Sequence, residues 1–230
     1  MKWYTNASEF CEKKLYGSPE ILNSLSTIFI SLFPALGLQN SLFFDLQKIN
    51  ILLIMIITGL TSFLYHWTGY YLFKHLDEIP MMLSLWQGIT SIIKKYPEPI
   101  FYKLQSFNNL YFILLLAINT IPDFQFLFPI FFAMPLFALI PLIEYIKNCA
   151  KVNTTLYIGF TTCIISGLIW TLTEMNCSPV MIFGHSIWHF GMSLGIYHII
   201  VAMEYLDLDP KKYKIKRLYS IIPIISYNSK

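Results

Sequence analysis

The stretch "GHSIWHFG" (184–191) places two histidines, His185 and His189, four residues apart inside a long apolar run. A histidine in hydrocarbon is costly and needs a partner. An i, i+4 pair shares one helical face, so the two rings address a common partner. Two imidazole nitrogens can serve one tetrahedral ion, and a catalytic zinc often keeps three protein ligands plus water. A third histidine at the same depth completes such a set, and a carboxylate beside it can take the water's proton.

Candidates for both roles stand in the first half of the chain. Ser62 and His66, in "TSFLYHW", are again four apart and share a face. Asp77, in "HLDEIPMM", opens the next apolar run. His198 is excluded, because nine residues beyond His189 is about 900° of helical rotation, half a turn off that face. His75 falls in the short "KHLD" connection and is set aside. A histidine alone in a membrane helix is a packing residue more often than a ligand; three at one depth with Asp77 and Ser62 favour a metal.

The elements that must position these residues follow from composition. Of the 230 residues 56% are hydrophobic and only 13% charged, against about 25% charged in soluble domains. Several runs approach the roughly 17–25 apolar residues that cross a bilayer. Seven spans are predicted, near 21–42, 49–73, 78–95, 107–121, 124–146, 154–174 and 180–203. The chain reads as an all-α integral membrane protein, a seven-transmembrane helix bundle. The longest internal loop is 94–106, where Pro97 and Pro99 forbid continued helix. Pro122, Pro135, Pro141 and Pro179 mark ends or kinks. The N-terminus lacks the apolar core of a secretory signal.

Seven spans put the termini on opposite sides, and the basic residues choose between them. Lys2, Lys13, Lys14 and Lys74 fall on the N-terminal side, and the other twelve of the 16 on the opposite side. The N-terminus is expected to be lumenal or extracellular and the C-terminus cytosolic. That topology brings Ser62, His66, Asp77, Glu174, His185 and His189 to one leaflet. The chain divides into an acidic N-terminal segment (1–20), the transmembrane domain (21–205) and a basic cytosolic tail (206–230) that could also meet anionic headgroups.

In this order, "SFLYH" (62–66), "DEIPM" (77–81) and "GHSIWH" (184–189) resemble the alkaline ceramidases. They form part of a wider group of seven-span hydrolases that includes the adiponectin and progestin receptors and the Per1-type proteins. The eleven-residue step from His66 to Asp77 fits, and "EFCEKKLYGSPEILNSLS" (9–26) resembles the ceramidase acidic segment. The resemblance implies zinc on His66, His185 and His189, with Asp77 as general base and Ser62 as oxyanion stabiliser. The implied reaction is hydrolysis of ceramide to a sphingoid base and a fatty acid. In a eukaryotic host the expected membrane is that of the endoplasmic reticulum or Golgi.

The resemblance also implies calcium on Glu9, the backbone of Phe10, Glu12 and Glu20. Calcium takes several oxygen ligands in a flexible arrangement. Three departures oppose it: Lys14 stands where the family has Asn, Phe10 replaces Trp, and the loop before Glu20 is shorter. A lysine amine could take the ion's place, and Glu20 could instead cap the first span, so the calcium site stays open. Thr173 stands where ceramidases tend to carry an acid, which bears on headgroup recognition.

Cys11 and Cys177 fall on the lumenal side, where oxidation is permitted. A disulfide between them is expected and the ceramidase pattern supports it; two unpaired thiols are the alternative. Cys149 and Cys163 are expected to be free. Asn6-Ala7-Ser8 matches a glycosylation sequon. Two other functions compete: a lipid esterase or phospholipase of the Per1 type, since a metal site alone does not separate amides from esters, and a receptor-like protein of the adiponectin-receptor branch, which the lysine tally disfavours. No nucleic-acid partner is expected.

Overall fold

The structure is a computed structural model that describes residues 10–40, 46–121, 124, 127–135, 150–209, 211–219 and 221–227. Helices dominate: α1 (Cys11–Tyr16), α2 (Ile21–Ser26), α3 (Ile28–Asn40), α4 (Leu46–Thr68), α5 (Tyr71–Ile93) and α6 (Glu98–Thr120). They continue as α7 (128–135), α8 (Ala150–Met175) and α9 (Phe183–Leu206). Pro122, Pro141 and Cys149 lie outside the described residues.

Among the described residues, four segments are long and apolar enough to cross a membrane: Ile21–Gln39, Leu46–Thr68, Val152–Met175 and Phe183–Leu206. Helices α5 and α6 are as long as α4 but less apolar. Three of their polar residues, Asp77, Asn108 and Asn119, are buried.

Three boundaries differ from expectation. The first apolar run is two helices with a break at Thr27, whose hydroxyl donates to the Ser24 carbonyl (2.7 Å). The "KHLD" segment is helical, because Gly69, at φ +68°, turns the chain before Tyr71. His75 therefore sits inside α5, where its Nδ1 lies 2.8 Å from Asn119 Oδ1. The prolines of the expected 94–106 loop start a helix instead. Pro97 is the N-cap of α6 and Pro99 lies in its first turn, where the missing N–H has no helical partner to lose.

The C-terminal segment corrects both the all-α expectation and the idea of a tail. It forms an antiparallel hairpin of β1 (Tyr213–Leu218) and β2 (Ile222–Tyr227) with Ile215 opposite Ile225. The hairpin folds back along α9. Tyr197 Oη donates to the Pro223 carbonyl (3.0 Å), His198 Nε2 lies 2.9 Å from the Ile221 carbonyl, and Ile225 joins the buried cluster of Val201, Ala202 and Tyr205. His198, half a turn from the histidine pair, thus faces a structural partner. At the same end Lys48 Nζ donates to Asp207 Oδ2 (2.8 Å) and Lys95 pairs with the other oxygen.

Helices α8 and α9 pack backbone against backbone. A Cβ on Gly195 would stand 2.7 Å from the Gly159 carbonyl oxygen and 2.4 Å from Cys163 Sγ. Glycine removes that clash and lets the backbones touch, as small residues do between membrane helices. The free Cys163 is buried in this seam. The contact fixes the depth of α9, and so of its histidines, against α8.

Candidate metal centre

His185 and His189 lie in the first two turns of α9 and His66 in the last turn of α4. All three are buried, and one nitrogen from each falls within 4.8 Å of the others. The ring centroids are 4.6 Å (His185–His189), 4.8 Å (His66–His185) and 5.1 Å (His66–His189) apart.

Helix α2 prepares two of these rings. Glu20 Oε2 lies 2.7 Å from His66 Nδ1. An ionised carboxylate only accepts, so Nδ1 carries the proton and Nε2 keeps its lone pair. Ser26 Oγ lies 2.8 Å from His189 Nδ1 and donates its own proton to the Asn23 carbonyl (2.9 Å). The serine therefore accepts from Nδ1–H, and His189 also keeps its Nε2 lone pair. Asn23, fully buried, ties the arrangement together: its Nδ2 donates to Glu20 Oε2 (2.9 Å), and its Oδ1 accepts from Ser186 Oγ (3.3 Å) on α9. Such outer partners set the tautomer and orientation of metal-binding histidines.

His185 is held differently. Trp170 Nε1 donates to its Nδ1 (3.0 Å), and Glu174 Oε1 stands 3.8 Å from the same nitrogen. Glu174 Oε2 accepts from the Cys11 backbone N–H (2.9 Å). Cys11 is joined to Cys177 by a disulfide, which ties α1 to the α8–α9 connection. Phe10 closes this end, with its ring 4.2 Å from His185 and 5.3 Å from His66.

Ser62 and Asp77 are both buried, and the Ser62 hydroxyl hydrogen-bonds the Asp77 carboxyl. Asp77 Oδ1 has no hydrogen-bond partner among the described residues. Ser62 lies one turn before His66 on α4, so it links the carboxylate to the histidine-bearing face. The neighbouring Glu78 pairs with Asn119 and, more distantly, with Lys74 (3.9 Å).

Of the expected calcium ligands, Glu9 lies outside the described residues, as does the Asn6 sequon. The other three already have protein partners. The Phe10 carbonyl accepts from Lys14 N–H (2.9 Å). Glu12 uses both oxygens on the backbone N–H groups of Leu22 (2.8 Å) and Asn23 (2.9 Å), and so caps α2 from a distance. Glu20 makes no side-chain cap bond and turns instead to His66. Thr173 packs against Gly184, where a Cβ would meet its Oγ1 at 1.9 Å.

Sequence reasoning missed Asn23, Ser26 and Trp170 and did not assign Glu20 to a histidine. A signal existed for α2: Glu20, Asn23 and Ser26 recur every three residues, with Ile21, Leu22 and Leu25 between them, which marks one polar helical stripe. Trp170 carried no comparable signal.

A helical membrane protein with a buried cluster of three histidines at one end of its bundle belongs to a narrow class, one with a metal-competent polar centre where lipid tails would otherwise pack. The sequence model of the ceramidase family matches residues 3–226, nearly the whole chain, and the chain belongs to the ceramidase family. No curated protein matches it. Membership implies a membrane-embedded hydrolase that acts on an amide bond of a lipid substrate.

Proposed function

We propose that the chain is a zinc-dependent intramembrane amidase that hydrolyses ceramide to a sphingoid base and a fatty acid. The observation that carries this reading is the buried trio His66, His185 and His189, with two rings set to offer Nε2. Three neutral imidazoles suit zinc. Bound zinc would supply Lewis acidity and make hydroxide accessible near neutral pH.

The chain's own residues do the rest. Asp77 takes the proton of the attacking water at Oδ1, the oxygen without a hydrogen-bond partner among the described residues, and returns it to the leaving nitrogen, a role worth about 10²–10⁴ in rate. Ser62 orients Asp77 through its hydroxyl. Turned toward the substrate, the same hydroxyl would stabilise the developing oxyanion. The buried surroundings exclude water and strengthen both contacts.

Calcium forms no part of the reading, because the Phe10 carbonyl, both Glu12 oxygens and Glu20 Oε2 serve the protein's own donors. Seven spans, with the N-terminus and histidine end lumenal, the C-terminal hairpin cytosolic, and residence in the endoplasmic reticulum or Golgi of a eukaryotic host, complete the proposal. The basic-residue asymmetry supports the orientation.

The test is a substrate panel. Purified chain in detergent micelles is incubated with ceramide, with phosphatidylcholine and with a simple fatty ester, before and after metal chelation. Release of sphingoid base from ceramide, lost on chelation and restored by zinc, is expected. Cleavage of the ester or phospholipid with ceramide untouched would overturn the amidase reading.

A further inference from the structure

The third histidine is not prepared like the other two. An indole N–H is a donor and never an acceptor. With Trp170 Nε1 donating at 3.0 Å, His185 Nδ1 must accept. A neutral imidazole carries one N–H, so the proton then sits on Nε2. One nitrogen has its lone pair engaged and the other is protonated, so His185 as seen has none to offer a metal. His66 and His189 have the opposite arrangement, with Nδ1 protonated and Nε2 open.

A second partner waits beside the same atom. Glu174 Oε1 is 3.8 Å from His185 Nδ1, so a movement of about 1 Å reaches hydrogen-bond distance. Its other oxygen is anchored by the Cys11 N–H, next to the disulfide. Trp170 and Glu174 are four apart on α8 and therefore reach toward His185 from one face.

We infer that Trp170 is a latch on the metal centre: metal binding exchanges the His185 Nδ1 partner from the Trp170 indole to the Glu174 carboxylate. This rests on the reading of the trio as a metal centre. The ring keeps one proton throughout. It moves from Nε2 to Nδ1, Nδ1–H donates to Glu174, and the Nε2 lone pair turns to the ion. His185 then has the same carboxylate support that Glu20 gives His66. Trp170 and Glu174 are positioning residues, since neither touches the ion. The N-terminal segment gains a role as well, because it fixes Glu174 through one backbone N–H. Trp170 packs 5.5 Å from Trp188 and stands edge-on to His185 at 6.0 Å, so release of its N–H changes its emission.

The full chain is purified in detergent, stripped with a chelator and titrated with Zn²⁺, with affinity read by calorimetry and tryptophan emission followed in parallel. Emission of the native chain should change in step with occupancy, and Trp170→Phe should abolish that change. Loss of the competing hydrogen bond should tighten zinc binding in Trp170→Phe by about 2–10-fold. Glu174→Gln should weaken it by about tenfold or more, as loss of outer-shell support does. Zinc binding with no emission change in the native chain, or equal affinity in both variants and the native chain, overturns the latch and leaves the metal centre standing. A native chain that binds no zinc overturns both. Should Trp170→Phe not fold, the native emission and the Glu174→Gln affinity decide the question.

Discussion

The two ends of the bundle hold polar groups in opposite ways. At the far end, Lys48 and Lys95 share the two oxygens of a half-exposed Asp207, and Tyr197 and His198 face carbonyls of the hairpin. The charges there are paired and Tyr197 Oη and His198 Nε2 are bonded, with His198 Nδ1 and Ser226 Oγ left as buried atoms without a hydrogen-bond partner among the described residues. At the histidine end the partners of His66 and His189 occupy Nδ1 and leave Nε2 available, and Asp77 keeps one buried oxygen without a partner among the described residues. Buried polar groups are ordinarily satisfied, so an open valence is costly unless something else fills it. The contrast separates a structural end, where charge pairs and a hairpin close the bundle, from the end at which we propose that an ion and a substrate bind.

Breaking the open end gives the largest effects. His66→Ala or His189→Ala should remove bound zinc and lower ceramide hydrolysis by about 10³-fold or more, since the ion's electrostatic stabilisation is worth several kcal/mol. Metal analysis on the purified variant checks the first part and sphingoid-base release the second; full turnover without zinc would sink the centre. Asp77→Asn should keep the zinc and lose about 10²–10⁴ in kcat. A variant that lost both would make Asp77 a structural residue rather than a base. Glu20→Gln acts one step further out. It keeps an acceptor for His66 Nδ1 but removes the charge, and should weaken zinc affinity by about tenfold. Unchanged affinity would mean that Glu20 serves the fold alone.

The residues whose effects are largest were also the most legible. Spacing of four in "SFLYH" and "GHSIWH" placed three histidines and Ser62 on common faces, and nine-residue spacing removed His198, because helical geometry converts sequence distance directly into direction. What lay across helices was illegible. Nothing in the spacing says that α2 breaks at Thr27 and lays Glu20, Asn23 and Ser26 against histidines more than 40 residues away. Nor does it say that Trp170 reaches His185. Local chemistry misled at two places: prolines read as a loop open α6, and the basic C-terminal residues form a hairpin. The hairpin depends on the pairing of Ile215 with Ile225 and on burial against α9, and both are tertiary facts.

The far end should respond to mutation in stability alone. Tyr197→Phe removes the hydroxyl that holds the Pro223 carbonyl and should cost about 1 kcal/mol. Zinc content and kcat should stay at native values. Thermal unfolding in detergent reads the first and the substrate assay the second. A loss of activity without loss of stability would show that the hairpin end communicates with the histidine end.

Asp207 gives the smallest effect and the sharpest sign. Burial works to raise its carboxyl, but the hydrogen bonds and charges of Lys48 and Lys95 outweigh it and hold the group below its ordinary value. A carboxyl lowered in the folded state contributes stability above the unfolded value of about 3.9, and loses it as pH falls through the folded one. Because the side chain is 45% exposed, solvent screens the pair, and Asp207→Asn should cost only a few tenths to about 1 kcal/mol near neutrality. The gap between native chain and variant should therefore be widest near pH 7 and close as the pH drops below about 4. Unfolding temperatures of both proteins across that range measure it directly. A gap of constant size would mean that Asp207 holds the end together by shape and neutral hydrogen bonds. The far end would then carry no pH-sensitive charge pair, and the contrast with the histidine end would rest on the convergence of three histidines alone.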